Sequence, residues 1–189
     1  MIREILLTAT LSVFAVAPMS GSETVTSPDG DIKLTFELQN GCPVYSVDFK
    51  GKQVITPSHM GFDLLSESGR NTFNHQAKKT GANALSLRDG FELVKTERDS
   101  LSETWTPVWG EEVEILNKYN SMTVDLKQPV FDRTMCIEFR VFDDGIAFRY
   151  DFPAQPNLNY FVIKEEKSEF GMTGDHWAYW TVSYTHLTL

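Results

Sequence analysis

Between Ile32 and Leu38 the chain alternates Ile32, Leu34, Phe36 and Leu38 with Lys33, Thr35 and Glu37. A period of two residues suits a pleated strand with one wet face and cannot build the continuous apolar stripe of a helix. Met122, Val124 and Leu126 repeat the pattern, as do Ile137, Phe139 and Val141, then Ile146, Phe148, Tyr150 and Phe152. Asp143-Asp144-Gly145 lies between the last two runs. An Asp-Gly pair there supplies the positive-φ positions of a tight hairpin, so Cys136 to Phe152 is predicted to form one β-hairpin. Turn chemistry at Ser27-Pro28-Asp29-Gly30, Gly41-Cys42-Pro43, Lys50-Gly51-Lys52, Arg88-Asp89-Gly90 and Gly174-Asp175 punctuates the rest. No segment keeps helical periodicity over three turns. The expected fold is therefore all-β, with short antiparallel strands in a sandwich or barrel.

The 189 residues, 41% hydrophobic, 12% aromatic and 23% charged, suit a single globular domain with a real core. No internal repeat or low-complexity linker marks a second one. A formal net charge of −9 argues against nucleic acid, whose binding needs a basic surface to displace counterions. Residues Met1 to Ser22 divide into a charged start with Arg3, an apolar stretch from Ile5 to Ala17, and small or helix-breaking residues at Pro18, Ser20, Gly21 and Ser22. That pattern reads as a secretory signal peptide, since the apolar run falls short of the roughly 20 residues needed to span a bilayer. No Cys follows the expected cleavage site, so the mature chain is expected to be soluble in the periplasm or outside the cell, with no membrane span. The two cysteines, Cys42 beside Pro43 in a turn-like segment and Cys136 in a strand-like one, are too few for a zinc site and lack paired histidines. They read as buried or incidental.

No catalytic signature closes within these residues: the chain has no Gly-x-Ser-x-Gly elbow, His-Glu-x-x-His pair, phosphate-cradling loop or Cys-x-x-Cys. Two constellations are candidates for ligand contact. The first is Trp105-Thr106-Pro107-Val108-Trp109-Gly110-Glu111-Glu112, with Glu114 close behind. A Trp face beside carboxylates suits a sugar, but large aromatics more often fill cores, so Trp105 and Trp109 are expected between two sheets with the glutamates in solvent. The second is Gly174-Asp175-His176-Trp177, where a His beside an Asp can orient a ligand or a base, against the plainer reading of a turn followed by a partly buried His. Substrate contact is thus assigned to Trp109, Glu111, Asp175 and His176, with no catalytic residue and no metal ligand. Arg140 and Arg149, on the two arms of the expected hairpin, read as cross-strand charge pairs among Asp143, Asp144 and Asp151.

The block from Glu103 to Asn120, together with Ser27-Pro28-Asp29-Gly30, Tyr45 with Gly51-Lys52, Asp89-Gly90-Phe91-Glu92, Phe142-Asp143-Asp144-Gly145, Phe148-Arg149-Tyr150 and the segment Asn159 to Glu166, resembles the N-terminal domain of glycoside hydrolase family 97, the SusB-like α-glucosidases and α-galactosidases. The likeness runs from about Thr26 to Trp180. It implies a large antiparallel β-sandwich, a galactose-mutarotase-like super-sandwich, packed on a catalytic (β/α)₈ barrel and followed by a small C-terminal β domain. The implied enzymes remove terminal α-linked glucose or galactose, with calcium assisting the acid carboxylate in the full-length protein and none bound by this chain alone. Barrel active sites lie at the C-terminal ends of barrel strands, so the catalytic carboxylates are expected outside this sequence and the chain itself is expected to be inactive. The role left to it is to cover the barrel mouth, narrow the pocket and help place the metal. A stand-alone carbohydrate-binding sandwich, with Trp105, Trp109 and Trp177 as a stacking platform, is the alternative. Exposed aromatics favour that alternative, buried ones the accessory domain.

After Trp180 the expected proline-glycine turn and acidic loop are replaced by Thr181-Val182-Ser183-Tyr184-Thr185-His186-Leu187-Thr188-Leu189, which reads as translated adapter sequence at the end of a truncated gene. The expected organisation is thus 1–22 signal peptide, 23–180 partial sandwich and 181–189 non-native tail, with a sandwich incomplete at its C-terminal end. An incomplete sandwich has open edges, and residues 23–189 alone are expected to be marginally folded and prone to aggregate.

Overall fold

The computed structural model describes residues 21–65 and 84–177. The expected signal peptide and the tail at 181–189 lie outside them. Strands β1 (Glu23–Thr26), β2 (Ile32–Gln39), β3 (Cys42–Phe49) and β4 (Lys52–His59) form an antiparallel sheet in that order. The β2–β3 and β3–β4 connections each place two successive residues at positive φ, Asn40 (52°) with Gly41 (78°) and Lys50 (50°) with Gly51 (77°). These are two-residue hairpin turns whose twist matches that of the strands. The first turn therefore falls one residue earlier than the motif Gly41-Cys42-Pro43 indicated, and Cys42 and Pro43 open β3, pairing with Gln39 and Leu38. β5 (Phe62–Leu64) continues the line of β4 past Gly61 and pairs with β6 (Ser86–Leu87).

The second sheet is a meander of β7 (Glu92–Trp105), β8 (Ile115–Gln128), β9 (Arg133–Val141) and β10 (Ile146–Asp151), all antiparallel. The expected hairpin is present, with Val141 opposite Ile146 and the Phe142 N–H donating to the Gly145 carbonyl at 2.8 Å. The predicted inward sets face the other sheet. Leu34 and Phe36 from β2, Met122, Val124 and Leu126 from β8, and Ile137, Phe139 and Val141 from β9 are buried in one core. Tyr45 and Phe36, opposite each other on β2 and β3, both lie against Phe139, with ring centroids 6.3 and 5.9 Å away. Each such side chain contributes roughly 1.5–3 kcal/mol by leaving water, which makes this aromatic seam the principal joint between the layers. Ile146, Phe148 and Tyr150 are only half-buried, because β10 is the last strand of its sheet.

One flank of the sandwich is tied shut. Arg98 on β7 forms an ion pair with Glu23 on β1 at 2.5 Å and donates to the Thr24 carbonyl, and Asn120 on β8 donates to the Thr26 carbonyl. The opposite flank is bounded by an extended segment that begins as β11 (Ile163–Glu166), antiparallel to β5. It continues along β4 through Lys167 N–H to Gly61 O, Glu169 N–H to His59 O, Thr56 N–H to Gly171 O, and a bridge between Ile55 and Met172. Residues 163–172 are thus a fifth strand of the first sheet, laid on the bent β4–β5 line. Gly171 is required there, because a Cβ would sit 2.5 Å from Thr56 Oγ1 and 3.1 Å from Ser58 Oγ.

Buried polar groups hold the loop that precedes β7. Arg133 donates to the carbonyls of Ala84 and Ser86, and Gln128 Nε2 donates to those of Ser86 and Asp89. Burial pulls the Arg133 pKa down to about 10. Cys42 and Cys136 are unpaired and half-buried.

Candidate functional site

β7 and β8 are each 14 residues long, whereas β9 pairs with β8 only from Asn120 to Gln128. Beyond that point the Leu101–Trp105 and Ile115–Tyr119 segments form a two-stranded arm with no third strand. Five residue pairs at about 3.3 Å rise project it roughly 16 Å past the sheet. The arm is closed by residues 106–114, with Gly110 at φ 143°. Its register sets Trp105 opposite Ile115 and Leu101 opposite Tyr119 on one face, with a hydrogen bond of 2.9 Å from Asn117 Nδ2 to Glu103 Oε1 between them. Tyr119 is anchored at the base, where its ring packs on Phe142 and under the Arg140 guanidinium.

The tip overturns the expectation that its tryptophans fill the core. Trp105 is 49% exposed and Trp109 88% exposed, and Val108, Val113 and Leu116 are exposed beside them. The physical reason is positional: both tryptophans lie beyond the last residue that the opposing sheet can cover. The glutamates behave as expected, since Glu111, Glu112 and Glu114 stand in solvent just before β8. An apolar tip with an acidic rim is built for contact with another surface. A two-stranded hairpin in water is marginal by itself, so such a tip normally has a partner.

The second constellation sits at the end of the described chain, past the strand that runs along β4. Asp175 and His176 are exposed, Trp177 is 90% exposed, and the His176 ring lies 3.3 Å from Thr173 Oγ1. The partly buried His of the plainer reading is therefore absent. Among the described residues no hydrogen bond or ion pair joins this group to Trp109 or Glu111, so the four assigned contacts form two separate surfaces.

Arg140 and Arg149 resolve as a charge cluster centred on Glu138, a residue the sequence reading did not single out. Arg140 and Arg149 each reach a Glu138 oxygen at 2.7 Å, and Arg149 also pairs with Asp151 at 3.2 Å. Glu138 stands directly opposite Arg149 in the β9–β10 register, and this cross-strand position was the available signal. The partners are thus Glu138 and Asp151 in place of Asp143 and Asp144. Asp143 instead accepts from the Asp29 N–H, joining the β9–β10 turn to the β1–β2 turn. The Asp29 carboxyl is held below the usual carboxylate range by hydrogen bonds from the Ser27 hydroxyl and then the Asp31 N–H. Among the described residues no three His, Cys, Asp or Glu side chains converge as a metal donor set, so calcium has no fitting site in them.

The Glycosyl-hydrolase 97 N-terminal family matches residues 25–187. A retaining alpha-galactosidase of Bacteroides thetaiotaomicron is 28% identical over 127 residues, 67% of this chain and 16% of that protein. A Glycoside Hydrolase Family 97 enzyme from Pseudoalteromonas sp. strain K8, solved in complex with panose and with acarbose, superposes with a TM-score of 0.67 at 31% identity over 80% of this chain and 20% of its own. A beta-arabinopyranosidase shares the fold at a TM-score of 0.64 and 22% identity. The chain therefore spans about a fifth of the length of these relatives.

Proposed function

Because the chain belongs to the glycosyl-hydrolase 97 N-terminal family, we propose that it is the N-terminal accessory domain of an exported, exo-acting α-glycoside hydrolase, an α-glucosidase or α-galactosidase. In this reading it packs on a catalytic barrel supplied by the rest of the polypeptide and shapes the sugar pocket. The observation that carries the reading is the β7–β8 arm, which projects past its own sheet and exposes Trp105, Val108, Trp109, Val113 and Leu116 to no partner among the described residues. Docking of domains within one chain buries about 600–1,500 Å², and an apolar tip rimmed by carboxylates fits a barrel loop with an apolar floor and basic edges.

Trp109 and Glu111 at the tip, and Asp175 and His176 near the end of the described chain, are the residues proposed to reach the pocket. The two carboxyl groups that cleave the glycosidic bond belong to the barrel, and calcium belongs to the complete enzyme, so this chain alone hydrolyses nothing. The signal peptide at 1–22 directs the enzyme to the periplasm or the medium.

The test is quenching by acrylamide of variants that retain only Trp105 or only Trp109, in the enzyme from the complete gene and in residues 23–189. Both tryptophans should be shielded in the enzyme and open in the short chain, and Trp109→Ala should lower kcat/KM of the enzyme. Equal quenching in both proteins with unchanged kinetics would refute the docking. The exposure of Trp105, Trp109 and Trp177 also favours a second reading, a carbohydrate-binding sandwich. Saturable binding of α-glucosides or α-galactosides by residues 23–189, lost in Trp109→Ala, would select it.

A further inference from the structure

The flank between β4 and β10 is open, in contrast to the β1–β7 flank with its Arg98–Glu23 tie. At one end the layers touch, where the Gly61 N–H donates to the Tyr150 hydroxyl and that hydroxyl meets Ser168 Oγ at 2.6 Å. Toward the other end they part around a cleft of about 390 Å³. Its apolar walls are Ile32, Val47, Phe49, Val54 and Ile55 from the first sheet and Ile146 from β10, and Asp143 and Asp144 stand at its rim. Phe170 stacks on Phe148 across the opening with centroids 6.0 Å apart, yet Phe170 and Met172 remain exposed.

β10 is an unpaired edge. Hydrogen-bonded pairs alternate along an antiparallel ladder, and the Phe142–Gly145 bond fixes the phase. Ala147, Arg149 and Asp151 therefore bond to β9, while the N–H and C=O groups of Ile146, Phe148 and Tyr150 point outward along the free edge. A long free edge flanked by half-covered aromatics is a template for one more strand.

We infer that a strand from the polypeptide that follows Trp177 in the full-length enzyme adds to the free edge of β10 and closes the cleft. Two observations select this occupant. The chain bridges Ile55, a cleft wall, at Met172 and leaves from there, and about four-fifths of the related chains lies outside the part matched here. The carboxylates of Asp143 and Asp144 call for Lys or Arg where the added strand passes the β9–β10 turn. A second copy of this chain would bring the same two carboxylates against their own equivalents, which disfavours edge-to-edge dimers.

This inference rests on the reading of the chain as one part of a longer hydrolase. The experiment is amide hydrogen exchange on the enzyme from the complete gene, resolved residue by residue over 143–152. The amides of Phe148 and Tyr150 should exchange as slowly as those of Ala147 and Arg149, slowed on the order of a hundredfold or more against unprotected rates. Slow exchange at Ala147 and Arg149 with fast exchange at Phe148 and Tyr150 would overturn the inference and leave the hydrolase reading intact. Protection at Phe148 that disappears on dilution, with dissociation of a dimer, would assign the edge to a second copy and overturn it too. A gene that ends with this domain would remove the donor and the hydrolase reading together.

Discussion

Phe139→Ala removes the ring that joins the two sheets. Phe139 has no exposed surface and touches Phe36, Tyr45 and Phe148, with centroids 5.9, 6.3 and 6.3 Å away. Truncation of a buried Phe costs about 3–5 kcal/mol, from lost transfer energy and the cavity left behind. A domain of this size loses about 2 kcal/mol of stability per molar of urea, so the unfolding midpoint should fall by roughly 1.5–2.5 M. Native domains hold only about 5–15 kcal/mol in total, and an incomplete sandwich sits at the low end, so the Ala variant of residues 23–189 should be largely unfolded before denaturant is added. Phe139→Leu retains most of the volume and should cost about 1 kcal/mol, which keeps the comparison readable. Urea titration followed by near-UV circular dichroism, for the parent and both variants, measures the difference. Equal midpoints for Ala and Leu, or an Ala shift below about 0.3 M, would refute Phe139 as the joint between the sheets.

Gly61→Ala should destabilise the domain by about 3 kcal/mol or more, because φ is 134° there and a Cβ would overlap the Leu87 carbonyl oxygen; an unchanged thermal midpoint would contradict the close approach of β5 to the Leu87 backbone. The Glu169 carboxyl is held below the usual range by the His59 N–H and imidazole. Its folded pKa is depressed, so its contribution is present above the unfolded value and lost as pH falls through the folded one. NMR titration should find Glu169 below the ordinary glutamate pKa in the parent and at it in His59→Pro, where the N–H is gone; a normal value in the parent would sink the contact. Burial, then Asp125 and Asp151, pushes the Cys136 thiol up to about 12. At pH 8 its alkylation should be much slower than that of a free thiol and should recover in urea, and rapid native alkylation would show the site to be open.

The central strands were legible because their burial is one-sided and continuous. The alternation of β2, β8 and β9 is reproduced by Leu34 and Phe36, by Met122 to Leu126, and by Ile137 to Val141. β7 was not legible, since an edge strand that buries little has no need of an apolar face. Its Thr96-Glu97-Arg98-Asp99-Ser100 run reads as loop, and only the register with β8 makes it a strand. β4 carries Pro57 and lacks regular alternation, and its partner along residues 167–172 lies about 110 positions away, beyond the reach of any local signal. The tryptophans were misplaced for a related reason. Their size says that they must meet something, but not that the hairpin carrying them outruns the sheet above. The same limit explains the candidate site: Trp109, Glu111, Asp175 and His176 were visible by type, while their separation into two exposed surfaces depends on long-range strand pairing.

The central claim is that this sandwich is the front part of a longer α-glycoside hydrolase. Reading the source DNA through the codons after Trp180 tests it most directly. An open frame that continues into an acidic loop and a barrel with paired carboxylates is the result expected. A natural stop codon after Leu189 would contradict the claim and leave a stand-alone sandwich whose exposed tryptophans would have to be explained by sugar binding.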